Sequence, residues 1–376
     1  MLWVDSTSRT VMNSGIQQVV RHYAAALHEL GINVTLLRQN SASFTLEAQA
    51  FENNDSFSMK AAAPYSPDLM SNAGIKPVLI FLEVPLGDHL STALQGQLLL
   101  RQTGIPSLGM IHDLIPIQLS HLYTPLQTLQ FRRYLKWAAG LDVLCAISDE
   151  TKASAQDYFA RTSEGNTKMS RDLVLLEHGV IDPLPQFRKT ERSKTTGPFR
   201  IVFVSTVEPR KRQLLLLDTV KKLRTTMQRP IHLTLIGSSE GYDKRYVEKV
   251  ERQIKAHPDN TWLTQLGDVE KFSLIAEADV TCYLSDKEGY GLPVIESLQL
   301  GVPCIVSDSV PSGKYGGCIV VKNDREILAA ALASLMSDNR LSDKLRRQCS
   351  EATFPSWLDA ARKLGSVAAS LRDQSI

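Results

Sequence analysis

Residues 288 to 296 read Glu-Gly-Tyr-Gly-Leu-Pro-Val-Ile-Glu: two carboxylates with seven residues between them, on a glycine-bearing loop that runs into a helix. Pro293 suits the first helical position, because its missing N–H would have no intrahelical partner there. Glu296 then falls in the first turn, and Gly301 stops the helix after Leu300. Free backbone amides at such a helix start attract phosphate. The loop glycines let backbone approach a ligand, while Glu288 and Glu296 bracket the site as hydroxyl acceptors. A ligand with phosphates in its middle and polyols at both ends, a nucleotide sugar, fits this layout. The plainer alternative treats both features as ordinary, since glutamates complement the dipole of any first turn and Gly-Tyr-Gly is a common turn. The segment before the loop, Ala276 to Ser285, reads as a helix end followed by a buried strand. That puts the loop at a strand's carboxyl end, where open α/β sheets bind ligands.

Other polar groups recur at strand ends. Strand Arg200–Val204 runs into Ser205-Thr206-Val207-Glu208-Pro209-Arg210-Lys211-Arg212, whose basic triplet could neutralise a diphosphate. In isolation such a triplet is usually a solvated helix start. Strand Ser107–Ile111 ends in His112-Asp113-Leu114-Ile115-Pro116, and a histidine there is as often a local cap as a site residue. Near the N-terminus, Leu2–Val4 leads through a polar loop to Ser14-Gly15-Ile16, a one-glycine phosphate-loop signal. Ser148-Asp149-Glu150-Thr151 and Glu177-His178-Gly179 also follow strands and say little alone.

The elements that must hold these groups alternate along the whole chain. Apolar runs at Leu2–Val4, Val34–Leu37, Val78–Leu82, Ser107–Ile111, Val143–Ile147 and Leu173–Leu176 are separated by helical patterns such as Ile16–Leu30. Arg200–Val204, His232–Ile236, Thr261–Leu266, Asp279–Leu284, Cys304–Ser307 and Gly317–Val321 repeat the scheme. Continuous apolar strands alternating with helices signal parallel sheets covered on both faces. At 376 residues two domains are the default. The expected division is an N-terminal domain over residues 1–182, a proline-rich, charged linker over 183–196, a second domain over 197–352 and a terminal helix over 353–376.

Composition excludes several classes. A formal charge of +2 lacks the strong basic excess of a nucleic-acid binder, and 43% hydrophobic with 22% charged residues is ordinary for a globular protein. The five cysteines form no Cys-x-x-Cys pair and mostly lie in apolar segments, so reduced buried thiols are expected. MLWVDSTSRT has neither the basic start nor the apolar core of a signal peptide, and no apolar run reaches the roughly 18 residues that span a bilayer. The expectation is a cytoplasmic protein that touches the inner membrane face at most peripherally.

Taken in this order, the residues resemble the retaining GT-B glycosyltransferases of family 4, especially bacterial mannosyl- and rhamnosyltransferase-like members that build O-antigen, lipopolysaccharide and exopolysaccharide. The resemblance rests on Glu288 and Glu296, on the run Thr206 to Lys211, on His112 to Pro116, and on Gly179-Val180 after the sixth strand. It implies two Rossmann-like, doubly wound parallel-sheet domains facing a cleft, the N-terminal one for the acceptor and the C-terminal one for the nucleotide-sugar donor, with the last helix packing back on the first. It implies that Lys211 and Arg210 sit on the donor diphosphate, that Glu288 holds hydroxyls of the transferred sugar and that Glu296 accepts the ribose hydroxyls. Backbone of Tyr290, Gly291, Leu292, Pro293 and Val294 would meet sugar and phosphate. His112 would lie near the anomeric centre, and Gly15 and Thr206 near the donor phosphates. The sequence departs from the pattern at Thr206, where many members carry arginine, and in its single N-terminal glycine.

No carboxylate nucleophile stands out for a double displacement. The resemblance therefore implies front-face transfer, in which the leaving diphosphate takes the acceptor's proton and cations and amides stabilise the departing charge. The chain has no Asp-x-Asp pair, so neither metal nor cofactor is expected. GDP-mannose is the expected donor, with dTDP- or UDP-sugars and a non-catalytic sugar-nucleotide-binding subunit as alternatives. The expected acceptor is a saccharide, lipid-linked in this family. Leu129–Trp137 mixes aromatics with three cations, as an interfacial helix does or as a half-exposed helix packed on a sheet does.

Overall fold

A computed structural model describes residues 1–9, 15–40, 45–52, 59, 62–65, 77–162, 173–180, 187, 197–239 and 243–373. The expected linker at 183–196 lies outside the described residues except for Phe187. The chain divides into two compact units, Met1–Gly179 with Pro355–Ile376, and Val180–Phe354.

The first unit's sheet is built from β1 (Leu2–Trp3), β2 (Thr35–Gln39), β3 (Leu46–Ala50), β4 (Ala63–Pro64), β5 (Leu79–Phe81), β6 (Ser107–Ile111), β7 (Val143–Ala146) and β8 (Val174–Leu175), in the order β4-β3-β2-β1-β5-β6-β7-β8. From β2 to β8 all pairs are parallel. The β2–β3 and β3–β4 pairs are antiparallel and add two strands that were not expected. Leu46–Ala50 reads LEAQA, and only Leu46 is buried. Such a half-solvated strand suits the antiparallel flank of a mixed sheet, and it lacks the apolar run that marks a buried parallel strand.

Helices α1 (Asp5–Arg9), α2 (Gly15–Glu29), α3 (Asp88–Gln102), α4 (Ile115–Gln118), α5 (Pro125–Ala138) and α6 (Asp149–Thr162) follow the strands. Aromatic rings fill the core, with Trp3 5.7 Å from Phe81 and Phe81 4.9 Å from Trp137. Trp3 lies against the backbone of α3 at Gly96, where a Cβ would stand 2.4 Å from the indole, so only glycine fits. In α5, Thr124 and Gln127 form a reciprocal capping box that fixes the start, and Phe131, Tyr134 and Trp137 are buried while Arg132, Arg133 and Lys136 face solvent. The aromatics of Leu129–Trp137 thus belong to the core.

The second unit's sheet holds β9 (Phe199–Val204), β10 (Ile231–Ile236), β11 (Asn260–Leu263), β12 (Val280–Tyr283), β13 (Cys304–Ser307) and β14 (Cys318–Val321), in the order β11-β10-β9-β12-β13-β14. Every pair is parallel. β11 ends at Leu263, short of the expected Leu266, because Gln265 turns the chain at φ 58°. Between the strands run α7 (Gln213–Thr226), α8 (Lys244–Lys255), α9 (Asp268–Glu277), α10 (Leu292–Gln299), α11 (Arg325–Ser337) and α12 (Asn339–Glu351). Asp243, Asp324 and Asp338 cap α8, α11 and α12 by accepting first-turn amides, which is why those helices begin there.

The last helix, α13 (Trp357–Asp373), belongs to the first unit and packs on α2. Trp357 stacks on His22 at 4.8 Å and meets Tyr23 edge-on at 5.3 Å. Among the described residues, no helix is long and apolar enough to cross a membrane.

Candidate functional site

In the second unit β9 lies between β10 and β12. The chain leaves β9 toward one side of the sheet and β12 toward the other, so the carboxyl ends of these two strands flank a topological switch point. The Thr206–Lys211 run follows β9, and the Glu288 loop follows β12.

Local chemistry shapes the first of these segments. Thr206 Oγ1 donates to Glu208 Oε1 at 2.9 Å, and Gln213 Nε2 donates to Thr206 O at 2.8 Å. Pro209 opens a tight helical turn over Pro209–Lys211, and Arg212, left-handed at φ 60°, redirects the chain into α7. Two bonds tie this turn to the loop after β12. Asp286 N–H donates to Arg210 O at 2.8 Å, and Arg212 Nε donates to Asp286 Oδ1 at 2.8 Å. Asn323 Nδ2 holds the same Asp286 oxygen at 3.1 Å.

Four charged side chains converge inside this frame. Arg210 Nη1 lies 2.9 Å from Glu288 Oε1 and its Nη2 lies 2.9 Å from Glu208 Oε1. Lys211 Nζ also pairs with Glu288 Oε1 and donates to Tyr283 Oη at 2.9 Å. Burial would raise the Glu288 carboxyl, but the Lys211 and Arg210 charges, with hydrogen bonds from Lys211 and Ser285, bring it down to about 2. Burial holds the Lys211 ammonium below its ordinary range against the pull of Glu288. The site therefore carries an ionised, largely dehydrated carboxylate beside two cations, a field preset before any ligand arrives.

Glu296 is set apart from that cluster. Lys271 on α9 donates to its Oε1 at 3.0 Å, and burial keeps its carboxyl above the usual range despite that partner. α10 begins at Leu292, so Pro293 takes the second helical position and not the expected first. Gly291 caps the helix at φ 98°, and a Cβ there would stand 2.4 Å from Ser312 Oγ, which donates to Gly291 O. Of the backbone expected to meet sugar and phosphate, Pro293 has no N–H and Val294 donates its own to Gly291 O at 3.1 Å. Gly291 and Leu292 present the helix start, and the buried Tyr290 ring places its hydroxyl 3.2 Å from that of Tyr315.

The remaining expected residues lie in the first unit. His112 follows β6 and is buried, with Nε2–H donating to Leu82 O at 2.7 Å. Burial lowers its imidazole to about 4, so the ring is neutral. Its ring stands 5.4 Å from that of His178. Gly15 opens α2 at an exposed position. Sequence reasoning missed Glu208, Tyr283, Asp286 and Lys271. Glu208 sits inside the basic run and could have been read there; Lys271 is on a different helix from Glu296, and nothing local marks it.

Residues 186–354 match the family described as Glycosyl transferases group 1. O-antigen chain mannosyltransferase B of Escherichia coli is 31% identical over 165 residues, 42% of this chain and 42% of that protein. MMP α-(1→4)-mannosyltransferase of Mycolicibacterium hassiacum is 29% identical over 181 residues, 45% of this chain and 42% of that protein. The aligned regions thus span less than half the length of these curated relatives. Among solved structures, Anabaena HepE in complex with UDP and glucose superposes with a TM-score of 0.67 at 14% identity, covering 98% of this chain and 99% of that one. Sucrose-phosphate synthase of Thermosynechococcus elongatus superposes at 0.66 with 16% identity, covering 99% of each chain. The fold is the mixed α/β, parallel-sheet architecture of GT-B glycosyltransferases.

Proposed function

We propose that the chain is a metal-independent, retaining hexosyltransferase that moves mannose from GDP-mannose to a saccharide acceptor. The observation that carries the reading is the meeting of Arg210, Lys211 and Glu288 at a switch point within the region that matches Glycosyl transferases group 1. Arg210 and Lys211 stabilise the diphosphate as its bond to the anomeric carbon breaks, and Glu288 holds hydroxyls of the sugar being moved. Glu296, on the helix presented by Gly291, accepts the ribose hydroxyls, with Lys271 fixing its carboxylate. The acceptor oxygen bonds to the anomeric carbon on the face the diphosphate leaves, and the acceptor's proton passes to the departing diphosphate oxygen. His112 and Gly15 are assigned to the sugar and phosphate as neutral, hydrogen-bonding partners.

Mannose is favoured because both curated relatives reported above are mannosyltransferases. A second reading changes only the nucleotide, since the HepE structure holds UDP. We extend the proposal to a lipid-linked acceptor of surface-polysaccharide synthesis and to peripheral membrane contact through α5, where Leu126 and Leu129 are exposed beside Arg132 and Arg133. The test is thermal stabilisation by a panel of nucleotide sugars, followed by transfer assays with the donor that stabilises most. The reading fails if no nucleotide sugar stabilises the chain.

A further inference from the structure

The first unit has a switch point of its own. β1 lies between β2 and β5, so the chain leaves β1 in one direction across the sheet and β5 in the other. Crevices at such points hold ligands. Asp5, just beyond β1, and His89, at the start of α3 beyond β5, bridge this one. His89 Nδ1–H donates to Asp5 Oδ2 at 2.6 Å, and Thr92 Oγ1 donates to the same oxygen at 3.2 Å. Arg9 donates to Asp5 Oδ1 from Nε at 3.0 Å and from Nη2 at 2.9 Å. Beside them the buried Glu83, also beyond β5, accepts the Ser6 and Thr7 amides at 3.0 and 2.5 Å.

The exposure of the two partners is unequal. The Asp5 side chain is 2% exposed and that of His89 is 42% exposed. A buried carboxylate anchored by four hydrogen bonds therefore orients a ring that reaches solvent. With Nδ1 committed to Asp5, the ring's other polar atom is Nε2. These residues lie outside the region matched by the transferase family.

We infer that His89, with Asp5 as its positioning residue, forms a saccharide subsite in the first unit in which Nε2 hydrogen-bonds a ring hydroxyl of the acceptor. The choice of ligand rests on the glycosyl-transfer reading above. A hydroxyl both donates and accepts, so it pairs with the Nε2 lone pair of the neutral ring and with the N–H of the charged one. Asp5 and Glu83 favour the charged ring, while burial and Arg9 oppose it. Hydroxyl recognition tolerates this balance, whereas recognition of a fixed anion would switch with pH.

The test uses the full chain with labelled histidine nitrogens, titrated with methyl α-D-mannopyranoside. The His89 Nε2 resonance moves on titration, and the buried His112 and His178 resonances stay. His89→Ala weakens glycoside binding about tenfold, one neutral hydrogen bond, His89→Gln retains part of it, and neither changes stabilisation by nucleoside diphosphate. A His89 resonance that stays still throughout, or equal glycoside affinity in wild type and His89→Ala, overturns the inference. If nucleotide sugars fail to stabilise the protein while the glycoside still moves His89, the transfer reading falls and the subsite stands. The converse result removes the subsite alone.

Discussion

Arg210 Nη1 lies 2.9 Å from Glu288 Oε1, although 78 positions of sequence separate the two residues. The same oxygen receives Lys211, so one carboxylate pairs with two neighbouring cations at the carboxyl edge of the sheet. Breaking a buried pair by removing one partner costs about 3–5 kcal/mol, because the other charge stays buried. Glu288→Ala should therefore destabilise the chain by an amount of that order in urea unfolding and abolish transfer. Glu296→Ala, which leaves one half-buried lysine, should cost less and weaken nucleotide binding.

The pH dependence of stability follows from the same carboxylate. Glu288 titrates at about 2 in the folded chain, against roughly 4.3 for an unfolded glutamate. Its folded value is depressed, so its stabilisation is complete above the unfolded value and is lost as pH falls toward 2. Urea midpoints of wild type should fall across that window more steeply than those of Glu288→Gln. Parallel curves for the two would contradict the ionised pair.

Glu83 gives the opposite sign. Burial raises its carboxyl to about 7 in spite of the Thr7 and Ser6 hydrogen bonds, and Asp5 adds to the rise. The folded chain keeps a proton that the unfolded chain releases, so this contribution is full below roughly 4.3 and disappears as pH rises through 7. The span is on the order of 3 kcal/mol. Glu83→Gln, which does not titrate and keeps an acceptor oxygen for one of the two amides, should lower stability at acid pH but flatten the decline between pH 5 and 8, on about that scale.

Lys211 and Arg212 are neighbours with different duties. Lys211 is buried against Glu288 and Tyr283, whereas the half-exposed Arg212 pairs with Asp286 at 2.8 Å. On the proposed reaction, Lys211→Ala should lower the transfer rate by about 10²–10³-fold, the scale of losing one preorganised charge stabiliser. Arg212→Ala should cost about 1 kcal/mol of stability or less. Similar transfer rates in the two variants would remove Lys211 from the diphosphate.

How much of this is legible in the chain itself depends on how local the signal is. β9, β12 and β13 are buried parallel strands, so FRIVFV, VTCY and CIVS announce themselves as apolar runs. Glu288 and the Arg210–Lys211 pair are visible because each follows such a run. β3 is not, since only one of its five residues, Leu46, is buried. The Lys271–Glu296 and His89–Asp5 pairs are equally silent, because each joins separate elements and neither element carries a pattern that requires the other. The start of α10 shifts by one residue because Gly291, at φ 98°, is free to act as its cap.

The last prediction concerns donor and stereochemistry. The reading requires the sugar to leave and arrive on one face, with no carboxylate attacking the anomeric carbon. An α-linked donor should then yield an α-linked product, and the proton NMR signal of the product's anomeric hydrogen reports this directly. Arg210 and Lys211 supply the charge that a divalent ion would bring to the diphosphate, so transfer in excess EDTA should match the untreated rate. The base is a separate question, because none of the residues assigned above specifies it. GDP-mannose is therefore the first donor to try and UDP-glucose the second. A β-linked product, or activity that EDTA abolishes and magnesium restores, would refute the mechanism whichever nucleotide carries the sugar.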